Sequence, residues 1–206
     1  MKDPIFVTAI GTNSGKTIFS AILVEALQAD YWKPIQSGIE DRDLETVEKL
    51  ISNPKSILFA ERFLLKNPVS PHQAAALEGI SIKLNDFEIP KTLNQLVIEG
   101  AGGVLVPINL DGDCISDLII KLNASVILVS NLYLGSINHT LLTVSYLKSQ
   151  NIAIKGIVFN GLNNQYSKDI IIKKTGLKVL LTIEQEEIID QKMIKKYAHL
   201  LNLNLI

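Results

Sequence analysis

The residues best suited to chemistry lie in Gly11-Thr12-Asn13-Ser14-Gly15-Lys16-Thr17, with Ile18 immediately after. They stand between an apolar run and a helical pattern. Consecutive backbone N–H groups at a helix start, reinforced by the helix dipole, form a nest for phosphate oxygens. Gly15 permits close approach, Lys16 supplies a point charge for β- and γ-phosphates, and the Thr17 hydroxyl can ligate Mg²⁺. Ile10 stands where the usual pattern has a glycine. The competing reading is a solvated turn; the strand–loop–helix context favours phosphate binding.

Two further segments carry charge at the ends of apolar runs. Glu99-Gly100-Ala101-Gly102-Gly103 follows a run ending at Ile98. A carboxylate leaving a buried strand can hold Mg²⁺, although glycine-rich turns also serve backbone geometry alone. Trp32-Lys33-Pro34-Ile35-Gln36-Ser37-Gly38 places a lysine at a second strand end. Lys33 either stabilises charge at a γ-phosphate or snorkels to solvent.

Short β-rich runs alternate with helical ones, so the expected class is α/β, a mostly parallel sheet flanked by helices. Strands are expected over 4–10, Tyr31 to Ile35, Gln95 to Ile98, Ala124 to Ser130, Ile152 to Phe159 and Lys178 to Ile183. The Glu99–Gly103 segment is expected as a turn. Phe19, Ile22, Leu23 and Ala26 keep helical spacing, and further helices are expected from about Ser136 to Ser149 and Gln185 to Leu200. Residues 39–90 read as mixed helical and irregular chain, punctuated by Asn53-Pro54, Asn67-Pro68 and Ser70-Pro71. Ligands of such sheets sit at the carboxyl ends of the strands.

The 206 residues suit one domain, expected to span 1–206. With 47% hydrophobic and 20% charged residues the chain is not disordered. Twenty Lys and Arg against 21 Asp and Glu leave a net charge of -1, which offers nucleic acid no basic field. No apolar run reaches the ~18 residues of a membrane span. The N-terminus does not read as a signal peptide, and Cys114 alone can form neither an internal disulfide nor a thiolate metal site. The expected setting is cytoplasmic.

Together these segments resemble dethiobiotin synthase, the ATP-dependent ring-closing family of biotin synthesis. The likeness covers most of the chain in order. Phe6-Val7-Thr8 with Thr12 and Gly15-Lys16-Thr17 resembles the family's phosphate loop, and Lys33 to Gly38 its KP..(S/T)G segment. Asp43-Leu44 resembles the metal-binding Asp heading a short helix, though Glu40 and Asp41 lie close by. Ser70-Pro71-His72-Gln73-Ala74-Ala75 is similar to its SPH.AA element, and Glu99–Gly103 with Pro107 to its EGAGG…P stretch. Leu134 to Thr143 resembles LG.INH.LLT, the most specific of the six.

The resemblance implies that 7,8-diaminononanoate takes up CO₂ (or bicarbonate) as a carbamate. The carbamate attacks the γ-phosphate of ATP, and the second amine then closes the ring. It implies Lys16 and Lys33 at the γ-phosphate, Lys33 also at the carbamate, and Thr12 and Ser37 as hydroxyl partners of the reacting groups. Thr17, Asp43 and Glu99 are implied around Mg²⁺, with Asn13, Ser14, Gly15, Ile18, Gly100, Ala101 and Gly102 beside the nucleotide. Asn160-Gly161 resembles the base-contacting segment, while Leu181 to Gln185 lacks the Pro that family members carry near the adenine. Ser136, Ile137 and Asn138 open a helix. By the resemblance they bind the substrate carboxylate of the other subunit in a homodimer. His139 reads as structural; His72 and His199 receive no role.

Two other readings remain. Partitioning and cell-division ATPases share such a loop and bind membranes or DNA. Lys192, Lys195 and Lys196 oppose Met193, Ile194, Tyr197 and Leu200, a pattern that fits either a membrane anchor or a docked terminal helix. Related amide-forming synthetases activate a carboxylate with ATP, but Cys114 lies in no glutaminase-like setting.

Overall fold

The central strands are apolar at consecutive positions because helices cover both of their faces. In the computed structural model, which describes residues 3–201, β1 (Ile5–Ala9) sends Ile5, Val7 and Ala9 into one apolar layer and Phe6 into the other. The chain continues through α1 (Lys16–Leu27), β2 (Asp30–Trp32), β3 (Ile35–Ser37), α2 (Asp43–Leu50), β4 (Leu58–Phe59), β5 (Phe63–Leu65) and α3 (Pro71–Leu77). Then come β6 (Leu96–Gly103), α4 (Ile115–Lys121), β7 (Ser125–Asn131), α5 (Ser136–Ser149), β8 (Ile154–Asn160), α6 (Gln165–Thr175), β9 (Val179–Ile183) and α7 (Gln191–Leu200). Seven strands form one parallel sheet in the order β4-β2-β6-β1-β7-β8-β9, and β3 and β5 pair in a separate two-stranded sheet. The α/β expectation holds.

Phe19, Ile22 and Leu23 of α1 are wholly buried against this sheet, with Ala26 packed beside them. Each of the three large side chains contributes about 1.5–3 kcal/mol by leaving water. Met193, Ile194 and Tyr197 of α7 join the same layer. On the opposite face Ile115, Leu118 and Ile119 of α4 pack with Phe6, Ile98 and Val126.

The expected strand from Tyr31 to Ile35 is two strands. Pro34 has no N–H to give a ladder, so the chain leaves the large sheet after Trp32 and re-pairs with β5 from Ile35 onward. The break leaves Lys33 at the strand end.

Glu99 to Gly103 is not a turn but the end of β6, where the register slips between Val7–Glu99 and Ala9–Gly103. Glycine is required there: a Cβ on Gly100 would lie 2.6 Å from the Phe6 ring.

The last helix starts at Gln191 rather than Gln185, because the Asp190 carboxylate accepts Met193 N–H at 2.8 Å and caps it. Its apolar face docks on the domain, and Leu200, expected on that face, is exposed. No helix among the described residues is long and apolar enough to cross a membrane. The helix from Ser136 to Ser149 is as expected, whereas α3, α4 and α6 were not singled out.

Candidate active site

The loop from Gly11 to Thr17 joins β1 to α1 at the carboxyl edge of the sheet. The Ser14 hydroxyl donates to the Gly11 carbonyl at 3.1 Å, and the Lys16 ammonium lies 3.4 Å from the same oxygen. Gly15 adopts φ 89°, and a Cβ there would meet the Asn160 amide nitrogen at 2.2 Å. That amide donates to the Ser14 carbonyl at 3.0 Å. Asn160, at the end of β8, thus braces the loop from the side.

A cleft of about 550 Å³ opens over the loop, a size typical of small-molecule sites. Thr12, Asn13, Ser14, Gly15, Lys16, Thr17 and Ile18 line it together with Lys33, Ser37, Asp43, Glu99, Ala101 and Gly102. Gly100 does not line the cleft, but its carbonyl accepts from Lys33 at 3.3 Å. The Ser37 hydroxyl is buried and has no hydrogen-bond partner among the described residues.

Four side chains meet at one corner. The Lys33 ammonium lies 2.5 Å from Asp43 Oδ2 and 3.1 Å from Glu99 Oε1. The Thr17 hydroxyl lies 2.6 Å from Asp43 Oδ1 and 2.9 Å from Glu99 Oε1. Lys33 does not snorkel to solvent; it is 4% exposed. Asp43 heads α2 and turns inward, whereas Glu40 and Asp41 are exposed.

The charges follow from these contacts. Burial alone would lower the Lys33 pKa, but the Glu99 and Asp43 carboxylates outweigh it and hold the value above the ordinary lysine level. Burial, and then the nearby Lys33 charge, lower the Lys16 pKa. Burial opposes ionisation of Asp43, yet Lys33 and the Thr17 hydroxyl bring its pKa below the usual range.

Sequence reasoning missed Tyr31. Its hydroxyl donates to Glu99 Oε2 at 3.0 Å, and burial, then Glu99, keep the phenol protonated. A signal was present: Tyr31 precedes Lys33 by two residues, so both project from the same face of one strand. Gln36 was also missed; its side-chain oxygen lies 3.5 Å from Asp43 N.

Ser136, Ile137 and Asn138 lie elsewhere, at the start of α5. Ile137 lines a second hollow of about 500 Å³ with Leu132, Tyr133, Leu134, Gly135 and Leu162. Ser136 is 1% exposed and its hydroxyl lacks a partner among the described residues, while Asn138 is exposed. The His139 ring meets the Tyr133 hydroxyl at 2.5 Å, which fits a structural role. Gly161 follows Asn160, and its N–H donates to the Ile183 carbonyl at 3.1 Å.

Three comparisons bear on this geometry. The family described as AAA domain matches residues 3–193. The ATP-dependent dethiobiotin synthetase of Cytophaga hutchinsonii is 56% identical over 94% of this chain and 94% of its own. That of Christiangramia forsetii is 48% identical over 96% of this chain and 95% of its own. Among solved structures, a ParA family ATPase from Chlorobium tepidum has TM-score 0.60 at 13% identity, covering 96% of this chain and 91% of that one. The septum site-determining protein MinD of Pyrococcus horikoshii, complexed with Mg-ADP, has TM-score 0.61 at 12% identity, covering 99% and 97%. The two structures show the fold alone.

Proposed function

The chain belongs to the ATP-dependent dethiobiotin synthetase family, and on that premise we propose that it makes dethiobiotin from 7,8-diaminononanoate, CO₂ and ATP as a single synthetase domain over 1–206. The observation that carries the reading is the Lys33 ammonium, buried at the mouth of the phosphate loop beside two carboxylates.

The Gly11–Thr17 amides and Lys16 bind the phosphates of ATP. One substrate amine adds to CO₂ and loses a proton, giving a carbamate. A carbamate oxygen attacks the γ-phosphorus, the bond to the β-phosphate oxygen breaks, and ADP leaves. The second amine then attacks the carbamoyl carbon, closing the cyclic urea and expelling phosphate. Phosphoryl transfer of this kind needs alignment and neutralised charge rather than covalent help. Lys33 supplies that charge between carbamate and γ-phosphate, and the Thr12 and Ser37 hydroxyls hydrogen-bond the reacting groups. The unpartnered Ser37 hydroxyl supports its share.

Thr17, Asp43 and Glu99 converge as an all-oxygen set, the donor chemistry that Mg²⁺ takes. When bound, Mg²⁺ neutralises charge on the β- and γ-phosphate oxygens. The Asn160 side chain, with Gly161, lies on the adenine side of the loop. One of its two N–H donors is used on the Ser14 carbonyl, and its oxygen is the group that would accept from a purine amino group.

The protein acts as a homodimer in the cytoplasm. The start of α5 (Ser136, Ile137, Asn138) offers the N–H groups of Ile137 and Asn138 and the Ser136 hydroxyl to the carboxylate of substrate held by the other subunit, the Ser136 N–H being taken by the Tyr133 carbonyl at 2.9 Å. The buried, unpartnered Ser136 hydroxyl and the exposed Leu134 and Leu162 around the second hollow support this placement. Neither membrane nor nucleic acid is a partner in this reading: the apolar face of α7 is already spent on the core.

The test is ADP release with Mg·ATP and bicarbonate, with and without 7,8-diaminononanoate. ADP formation that requires the diamine, with dethiobiotin detected by mass spectrometry, is the expected result. Turnover indifferent to the diamine would favour a switch ATPase of the ParA or MinD fold, or an amide-forming synthetase.

A further inference from the structure

Arg42 immediately precedes Asp43, yet it does not line the cleft. Its carbonyl starts α2, accepting Thr46 N–H at 3.1 Å. Its guanidinium forks onto Glu61, with Nε 3.1 Å from Oε1 and a terminal nitrogen 2.7 Å from Oε2. The Glu61 side chain is 2% exposed and Arg42 24%. A carboxylate so buried depends on its partner, and the two-pronged pair fixes angle as well as distance. The Glu61 carboxylate keeps the Arg42 pKa above its usual value.

Glu61 is tied in turn to the other side of the site. The next two amides, of Arg62 and Phe63, both donate to the Pro34 carbonyl, at 2.9 and 3.0 Å. Pro34 follows Lys33. The chain therefore closes a circuit: Lys33 and Pro34, the 61–63 segment, the Arg42–Glu61 fork, Asp43, and back to Lys33. Without the fork, the start of α2 is still held from below by Leu44 and Val47 on the core, but on the cleft side Asp43 keeps the 3.5 Å contact from Gln36 and its contacts with Lys33 and Thr17. Those last contacts are the ones an arriving cation must rearrange.

We infer that Arg42 and Glu61 are positioning residues that hold Asp43 at the cation-binding corner; the inference rests on the metal role given to Asp43 above. The fork sets the separation of Asp43 from Lys33 while touching neither nucleotide nor substrate.

The experiment is calorimetric titration of the intact protein with ADP, once in Mg²⁺ and once in EDTA. The proteins compared are wild type, Glu61→Gln, Arg42→Gln and the double variant. Wild type is expected to bind ADP more tightly with Mg²⁺. Each single variant loses about tenfold of that metal-linked gain, the low end of what partners of metal ligands contribute, and keeps its affinity in EDTA. The double variant is no worse than the weaker single one, because both remove the fork; the further contact Arg42 makes, to the partly exposed Glu45 at 3.1 Å, is a surface pair of little weight. Arg42→Lys recovers little, since an ammonium cannot fork. A full metal-linked gain in the variants overturns the inference, as does an equal loss with and without metal, or additive losses. Wild-type affinity indifferent to Mg²⁺ would instead overturn the metal role, and the inference with it. If Glu61→Gln does not fold, Arg42→Gln, changed at the more exposed partner, carries the test.

Discussion

The ammonium of Lys33 stands 2.5 Å from Asp43 Oδ2, and Glu99 Oε1 lies 3.1 Å away on its other side. A lysine so held fills the gap between two carboxylates as a free cation would. The same amine is the group proposed to meet the carbamate. If Lys33 and the carboxylates take the roles proposed above, binding of Mg·ATP and release of Lys33 toward the reactants would be one event seen from two sides.

Removing that amine should act in opposite directions on turnover and on metal binding. Lys33→Ala should lower kcat by ~10²–10³, the usual effect of losing one preorganised charge at a developing anion. Activity within about threefold of wild type would remove Lys33 from the chemistry. Without nucleotide, Lys33→Met should bind Mn²⁺ at least ~tenfold more tightly than wild type, because two carboxylates lose the lysine that contacts both. Paramagnetic resonance of free Mn²⁺ reads this directly.

Tyr31→Phe deletes the donor to Glu99 Oε2 inside a fully buried setting. An unpartnered buried acceptor costs about 1–3 kcal/mol, so the urea midpoint should fall with the m-value unchanged. An unchanged midpoint would mean that another group satisfies that oxygen.

Asn160→Asp places a carboxylate against the Ser14 carbonyl, where the amide now donates. Two acceptors face each other and the loop loses its brace. ATP affinity should drop about tenfold, as expected when a buried hydrogen bond is replaced by an unsatisfied pair. Equilibrium dialysis with labelled ATP measures it.

Glu25 gives a pH test away from the site. Its carboxylate accepts from Ser52 N, Ser52 Oγ and Asn53 N at 2.8, 2.7 and 3.1 Å. Burial works against the charged form, but these bonds outweigh it and bring the pKa below its ordinary 4.5. A depressed folded-state pKa means stability that is fully present above the ordinary value and lost as pH falls through the folded one. Glu25→Gln should therefore lower Tm at pH 7, and the difference from wild type should shrink well below pH 4.5. A constant difference across that range would contradict the assignment.

A site shared between subunits predicts complementation. Lys33→Ala and Asn138→Asp should each be weak alone, the second because a carboxylate at the α5 start repels that of the substrate. Mixed after dissociation, they should regain about a quarter of wild-type activity, since half the dimers are mixed and each holds one intact site. No recovery in a mixture shown to exchange subunits would place each site within one chain.

How much of this was legible depended on whether the signal was local. The glycine-lysine-threonine loop and Glu99 were readable because a strand end and a helix start are marked by neighbours in sequence. The helix from Ser136 to Ser149 was readable for the same reason. The parting of β2 from β3 was missed because an apolar Tyr31–Ile35 run outweighed the missing N–H of Pro34. The onset of α7 was placed early since 185–190 carries helix-compatible residues, while the Asp190 cap that decides it is a single side chain. Tyr31 carried only a weak signal, its spacing from Lys33, and Arg42 and Glu61 carried none, because their partners lie far along the chain: Glu99 for Tyr31, and one another across α2 and β4.

The position of β1 in the sheet has a consequence for how the protein is made. Ile5 pairs with Val97 on one side and Ser125 on the other. The first of these strands in the chain thus waits for β7 before it has both neighbours, and such distant pairings slow folding. A nascent chain can carry the whole Gly11–Thr17 sequence and still have no rigid cradle for phosphate until β7 has emerged. Retention on immobilised ATP would therefore report completion of the sheet centre, not synthesis of the loop.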